Sequence, residues 1–134
     1  MVTMALLGSA LLASGNAALG NAAVAQDEAQ LFGNWTGESI CQVQSSPCHD
    51  EHVIYHISKG QTAGQVSVSA DKIVAGKPVN MGTGDYTYDR DSGTLLQENA
   101  GRVWKLMVKG NTMTGTLTLP DKTIYRRVTL KKEE

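Results

Sequence analysis

From Gly33 to the end of the chain, apolar and polar residues alternate with a period of two, and turn-forming residues break the pattern at short intervals. Trp35, Gly37, Ser39 and Cys41 share one face of a first strand; Val53, Tyr55 and Ile57 share one face of a second, which Lys59-Gly60 ends. Val66 and Val68 mark a third strand, and Ile73-Val74 a short fourth that stops at Gly76. Tyr86 and Tyr88 lead into the turn Asp91-Ser92-Gly93, and Thr94 to Gln97 returns from it. Trp104, Leu106 and Val108 line a strand that stops at Gly110-Asn111. Met113, Gly115 and Leu117 then alternate with four threonines, and Pro120-Asp121-Lys122 turns the chain into Ile124, Val128 and Leu130. No segment of helical length carries a 3.6-residue period. The pattern predicts an all-β fold: an antiparallel meander of about eight strands. Closure into a small barrel is preferred over a sandwich, because it removes the edges that a threonine-rich sheet would expose. The inward set is Trp35, Val53, Tyr55, Ile57, Val66, Val68, Trp104, Leu106, Val108, Met113, Leu117, Ile124 and Val128.

Residues 1–25 break from this pattern. They are rich in Ala, Leu, Gly and Ser, carry no charge, and end in the small-x-small triplet Ala23-Val24-Ala25. This is the composition of a cleaved secretory signal peptide, although a basic leading segment is missing. Five Gly and Asn residues between Gly8 and Asn21 dilute it too far for a spanning helix. Residues 26–134 are thus expected to form one exported domain, periplasmic or extracellular. Neither cysteine has a lipid-attachment context, so no membrane anchor is expected.

An oxidising compartment bears on Cys41 and Cys48, the only cysteines. Ser45, Ser46 and Pro47 favour a reversal between them. A disulfide closing this short loop contributes about 2.5 kcal/mol on the chain-entropy account and pins the first hairpin.

The 134 residues carry a net charge of −1, which argues against nucleic acid as a partner. The charge is unevenly spread. Residues 26–101 hold four basic and ten acidic side chains, a net of −6; residues 102–134 hold eight basic and three acidic, a net of +5. Two halves that attract one another across a closed sheet account for this, and a basic face for an acidic partner is the sharper alternative.

Little else points to chemistry. His49, Asp50, Glu51, His52 and His56 have metal-ligand composition, but His52 and His56 stand about 13 Å apart on a strand, too far to share one ion. His49, Asp50 and His52 remain a conceivable set near the disulfide loop. Asp85, Asp89 and Asp91 before Gly93 read as a hairpin turn rather than a calcium loop. Asp50 and Glu51 are adjacent and so face opposite sides of a strand, which defeats paired-carboxylate catalysis. No nucleophile elbow and no phosphate loop is present. The expectation is a protein that is not an enzyme and holds neither metal nor cofactor.

Gly33-Asn34-Trp35 at the head of the first strand resembles the G-x-W signature of the calycin barrels: lipocalins, fatty-acid-binding proteins and avidins. That resemblance implies a basic residue from the last strand stacked across the tryptophan. Arg126 or Arg127 stands at the matching place; Arg126 shares a face with Ile124, Val128 and Leu130 and is preferred. Trp35 and Arg126 would then close the barrel. A barrel of this size is filled by its side chains or holds one small ligand. Trp35, Tyr55, Trp104, Leu106 and Met113 are the candidate ligand-lining residues, for a small apolar molecule. The chain is also similar to small bacterial periplasmic protease inhibitors in its length, strand-one tryptophan, single disulfide and lysine-rich last strand, though the cysteines here lie closer together. That similarity implies a protein partner, engaged through a leading segment such as Gln26 to Gln30, which reads as polar and flexible.

Overall fold

Alternation is carried through into the structure, a computed structural model that describes residues 26–134. Eight antiparallel strands follow one another around a closed barrel: β1 Gly33–Cys41, β2 Glu51–Lys59, β3 Gln65–Val74, β4 Lys77–Asp89, β5 Thr94–Asn99, β6 Arg102–Lys109, β7 Thr112–Thr118 and β8 Ile124–Lys132. β1 pairs with β8 to close it. The expected signal peptide, residues 1–25, lies outside the described residues. Among these residues no helix is long and apolar enough to cross a membrane. The strands are apolar inward and polar outward, the reverse of barrels whose outer wall faces lipid.

The interior is one apolar cluster. Trp35, Val53, Tyr55, Ile57, Val66, Val68, Leu95, Leu106, Met113, Val128 and Leu130 are all buried in it. Gly37 lies tight against β8. A Cβ there would meet the backbone carbonyl of Thr129, so strand closure at this point requires glycine.

The pattern marks nine runs where the structure has eight strands, and the difference lies at one boundary. Ile73-Val74 is the end of β3, not a strand of its own, and the fourth strand begins at Lys77, well before Tyr86. The two are joined by the two-residue turn Ala75-Gly76, with φ of 50° and 77°. Both central residues are left-handed, as in the tight hairpin turns that match strand twist. Ala100-Gly101 joins β5 to β6 in the same way, with φ of 52° and 79°. An alanine tolerates this geometry poorly; Gly76 still marks the first turn in the sequence, whereas nothing there marks the second.

β3 and β4 form a hairpin longer than the barrel wall. The register slips between Ala70 and Asp71, where Ala70 faces Gly82 and Asp71 faces Asn80, leaving Met81 as the extra residue of a bulge. Asn80 ties the bulge: its amide donates to Asp71 Oδ1 (2.9 Å) and Ser69 Oγ (3.0 Å), and its Oδ1 accepts from the Gly82 N–H (3.0 Å). The bond from Asn80, with a second from His56 (2.8 Å), holds the Asp71 carboxyl below its ordinary pKa. β4 pairs with β5 only over Thr87–Asp89. Toward the tip, the edge of β4 therefore parts from β5 and the wall opens.

Candidate functional site

The two ends of the barrel are built differently. At the floor, a single 3-10 turn, Glu28–Leu31, lies across the opening and buries Leu31 fully. The Trp35 indole N–H donates to the Leu31 carbonyl at 2.9 Å. Lys132 Nζ stands 6.0 Å from the Trp35 ring centroid and donates to the Gln30 carbonyl at 2.6 Å. The residue stacked across the tryptophan is thus Lys132, not Arg126. Strand pairing explains the correction: Trp35 faces Lys132 in the register, whereas Arg126 faces Cys41 at the opposite end. Inward parity is shared by both residues, and only the register separates them.

The segment expected to be flexible is engaged at this floor as well. The Tyr88 hydroxyl donates to the Gln26 carbonyl, Asp27 pairs with Arg90 at 3.0 Å, and Gln26 Nε2 donates to the Gly110 carbonyl at 3.2 Å.

At the other end, the mouth, a cavity of about 490 Å³ opens between the strands. Tyr55, Tyr86, Trp104 and Tyr125 supply its aromatic walls, and Gln97, Asn99, Arg102, Glu51 and Arg126 its polar ones. The side where β4 leaves β5 is lined by Met81 to Gly84. Gln97 leans into this gap. A Cβ on Gly84 would stand 2.2 Å from its side-chain nitrogen, so glycine makes room for the amide.

Tyr55 and Tyr86 are the buried polar residues of this cavity, 3% and 6% exposed. Among the described residues neither hydroxyl has a hydrogen-bond partner, and no fully buried side-chain oxygen is left orphaned, so both hydroxyls reach the cavity surface. Burial pushes both phenols well above their ordinary pKa, and for Tyr86 the neighbouring Tyr55 adds to the rise. They stay protonated and available to donate.

Arg126 braces the rim. Its Nη1 donates to the His49 carbonyl (2.9 Å), the Ser39 hydroxyl (3.3 Å) and the Ser39 carbonyl (3.4 Å). Its Nη2 lies 3.5 Å from Glu51 Oε1, in a pair that is largely shielded from solvent. The disulfide between Cys41 and Cys48, with Cα atoms 5.8 Å apart, shapes the same rim. The Cys41 N–H also donates to Asp50 Oδ1 at 2.9 Å. Bridge, Asp50 and Arg126 together hold the loop from β1 to β2.

Of the five expected ligand-lining residues, Tyr55 and Trp104 meet at this cavity. Trp35, Leu106 and Met113 do not. All three are fully buried and belong to the packed lower half and floor. Tyr86, Gln97 and Arg126 take their place, so the lining is mixed rather than apolar. Tyr86 carried a signal in its alternation with Tyr88; Gln97 carried none, because a lone polar residue near a turn reads as exposed. The histidines go separate ways: His52 Nδ1 contacts Glu38 at 2.9 Å, and His56 lies between Asp71 (2.8 Å) and Asn34 (2.6 Å). Among the described residues no three metal-ligating side chains gather.

Comparison with protein-family models and with curated proteins gives no match.

Proposed function

We propose that this is an exported binding protein that holds one small molecule at the open end of its barrel. The observation that carries this reading is the pair Tyr55 and Tyr86, buried phenols that have no hydrogen-bond partner among the described residues and line a cavity of about 490 Å³. A donor that faces a cavity and has no protein partner is open to an acceptor on a bound molecule, in exchange for water. The cavity has the size and the few convergent polar groups of a small-molecule site. Its chemistry revises the expected ligand. Four aromatic rings suit a flat, partly apolar body, while the two buried phenols, Gln97 and the Arg102 guanidinium suit an acceptor-bearing group on it; Arg126 is already paired with Glu51. The disulfide supports export, since such bonds persist in oxidising compartments. The fold is compatible with a calycin-like origin, and the tryptophan with a last-strand cation across it fits that likeness through Lys132.

The alternative, a protease-inhibiting module, has less support, because its leading segment is engaged with the barrel's own floor.

The test uses two matched dyes, 1-anilinonaphthalene-8-sulfonate and the uncharged N-phenyl-1-naphthylamine, with calorimetric titration of the wild type and of Y55F/Y86F. Saturable one-to-one binding, weakened about tenfold in the double variant if each phenol contributes about 0.7 kcal/mol, supports the site. Absence of binding by both dyes, or binding that the variant does not change, overturns it.

A further inference from the structure

We propose that the outward face of β6, β7 and β8 is a docking surface for an anionic lipid surface. This face is separate from the cavity. Strand register sets out three rows across the wall: Lys105, Thr116 and Arg127; Met107, Thr114 and Thr129; Lys109, Thr112 and Lys131. Strand spacing and rise place the four cations at the corners of a rectangle of about 9.5 by 13 Å. All four are exposed, and none is in an ion pair among the described residues. No carboxylate stands in these rows on β6, β7 and β8; Glu38, beside Thr129 on β1, is the next residue of the middle row and contacts His52. The uneven charge of the sequence is therefore not cancelled across the sheet here; it is concentrated on one wall of a molecule whose net charge is only −1.

Apolar side chains sit among these cations. Met107, in the middle row, is 51% exposed, and Leu96, which pairs with Lys105 from β5, is 41% exposed. Cations around protruding apolar groups match the headgroup region of a membrane, where phosphates meet the ammonium and guanidinium ends and methyl groups reach the acyl boundary. Short threonines between them leave the long side chains free to extend. The other polyanions fit less well. Single-stranded nucleic acid is held by aromatic stacking, and no aromatic residue stands in the three rows. Protein interfaces are depleted in lysine, which supplies three of the four corners.

The experiment is co-sedimentation of the chain from Gln26 with vesicles of phosphatidylcholine alone or mixed with phosphatidylglycerol. Expected is partitioning at least tenfold stronger into the mixed vesicles, falling about fivefold for each of K105Q, K109Q, R127Q and K131Q and lost at high salt. M107T is expected to weaken it several-fold without changing the salt dependence. K59Q and K77Q, on other parts of the barrel, should change it little. Equal partitioning into both vesicles overturns the proposal, as does a quadruple variant that binds like wild type. So does displacement by millimolar glycerol phosphate, which would mean capture of a free phosphate, or binding to DNA or polyglutamate in preference to vesicles. These positions are solvent-facing, and an unchanged melting curve verifies that each variant is folded.

Discussion

The floor and the mouth of this barrel are made from the same strands, yet they put their residues to opposite uses. At the floor, Trp35 satisfies its one polar atom on Leu31, Lys132 lies over its ring, and the 3-10 turn seals the end. At the mouth, Tyr55 and Tyr86 are nearly as buried but leave their hydroxyls facing a cavity. Burial alone therefore does not separate scaffold from site. What separates them is whether the buried polar groups find partners within the protein. Floor substitutions should cost stability, and mouth substitutions should cost binding.

The largest effect is expected at the floor. W35A removes a fully buried indole and should destabilise by about 3–5 kcal/mol, read by urea denaturation. A loss below about 1 kcal/mol would mean that the floor is not the seat of stability. Next comes the bridge. C41S/C48S should lower stability by about 2.5 kcal/mol and Tm by roughly 10 °C. Because the bridge shapes the rim, it should also weaken dye binding, and unchanged affinity would detach the loop from the site. Y86F sharpens the contrast: dye affinity should fall by about 0.5–1.5 kcal/mol while the urea midpoint is kept or raised.

The same two phenols give a pH dependence. Their folded pKa is raised above the unfolded value of about 10, so the stability they contribute is complete below pH 10 and is lost as pH climbs through the folded value. Alkaline unfolding, followed by far-ultraviolet circular dichroism, should shift to higher pH in Y55F/Y86F. The smallest effect is expected at a turn that belongs to neither end's chemistry. A100N places a residue tolerant of left-handed φ in the β5–β6 turn and should stabilise by about 0.5 kcal/mol.

Much of the scaffold is legible in the sequence alone. Period-two alternation marks the strands and the interior set, and the two cysteines around Ser45, Ser46 and Pro47 mark the bridge. The parts that stay hidden share a cause: each depends on how strands pair rather than on what one strand contains. Ala100-Gly101 hides a hairpin turn behind an unfavoured alanine, and at Ala75-Gly76 the break is visible but not the pairing of the long strands on either side. Arg126 and Lys132 point inward alike, and only the β1–β8 register decides which meets Trp35. The cavity itself exists because β4 leaves β5 above Thr87, and nothing within either strand announces that parting. Gln97 is recognisable as a lining residue only with Gly84 beside it.

One tryptophan sits at each end, and that allows the contrast to be read directly. The chain, labelled with 5-fluorotryptophan, gives two fluorine resonances, assigned through W35F and W104F. Titration with 1-anilinonaphthalene-8-sulfonate should move the Trp104 resonance in a saturable manner and leave the Trp35 resonance in place. Movement of Trp35 alone, or of neither at saturating dye, would contradict a binding site at the mouth.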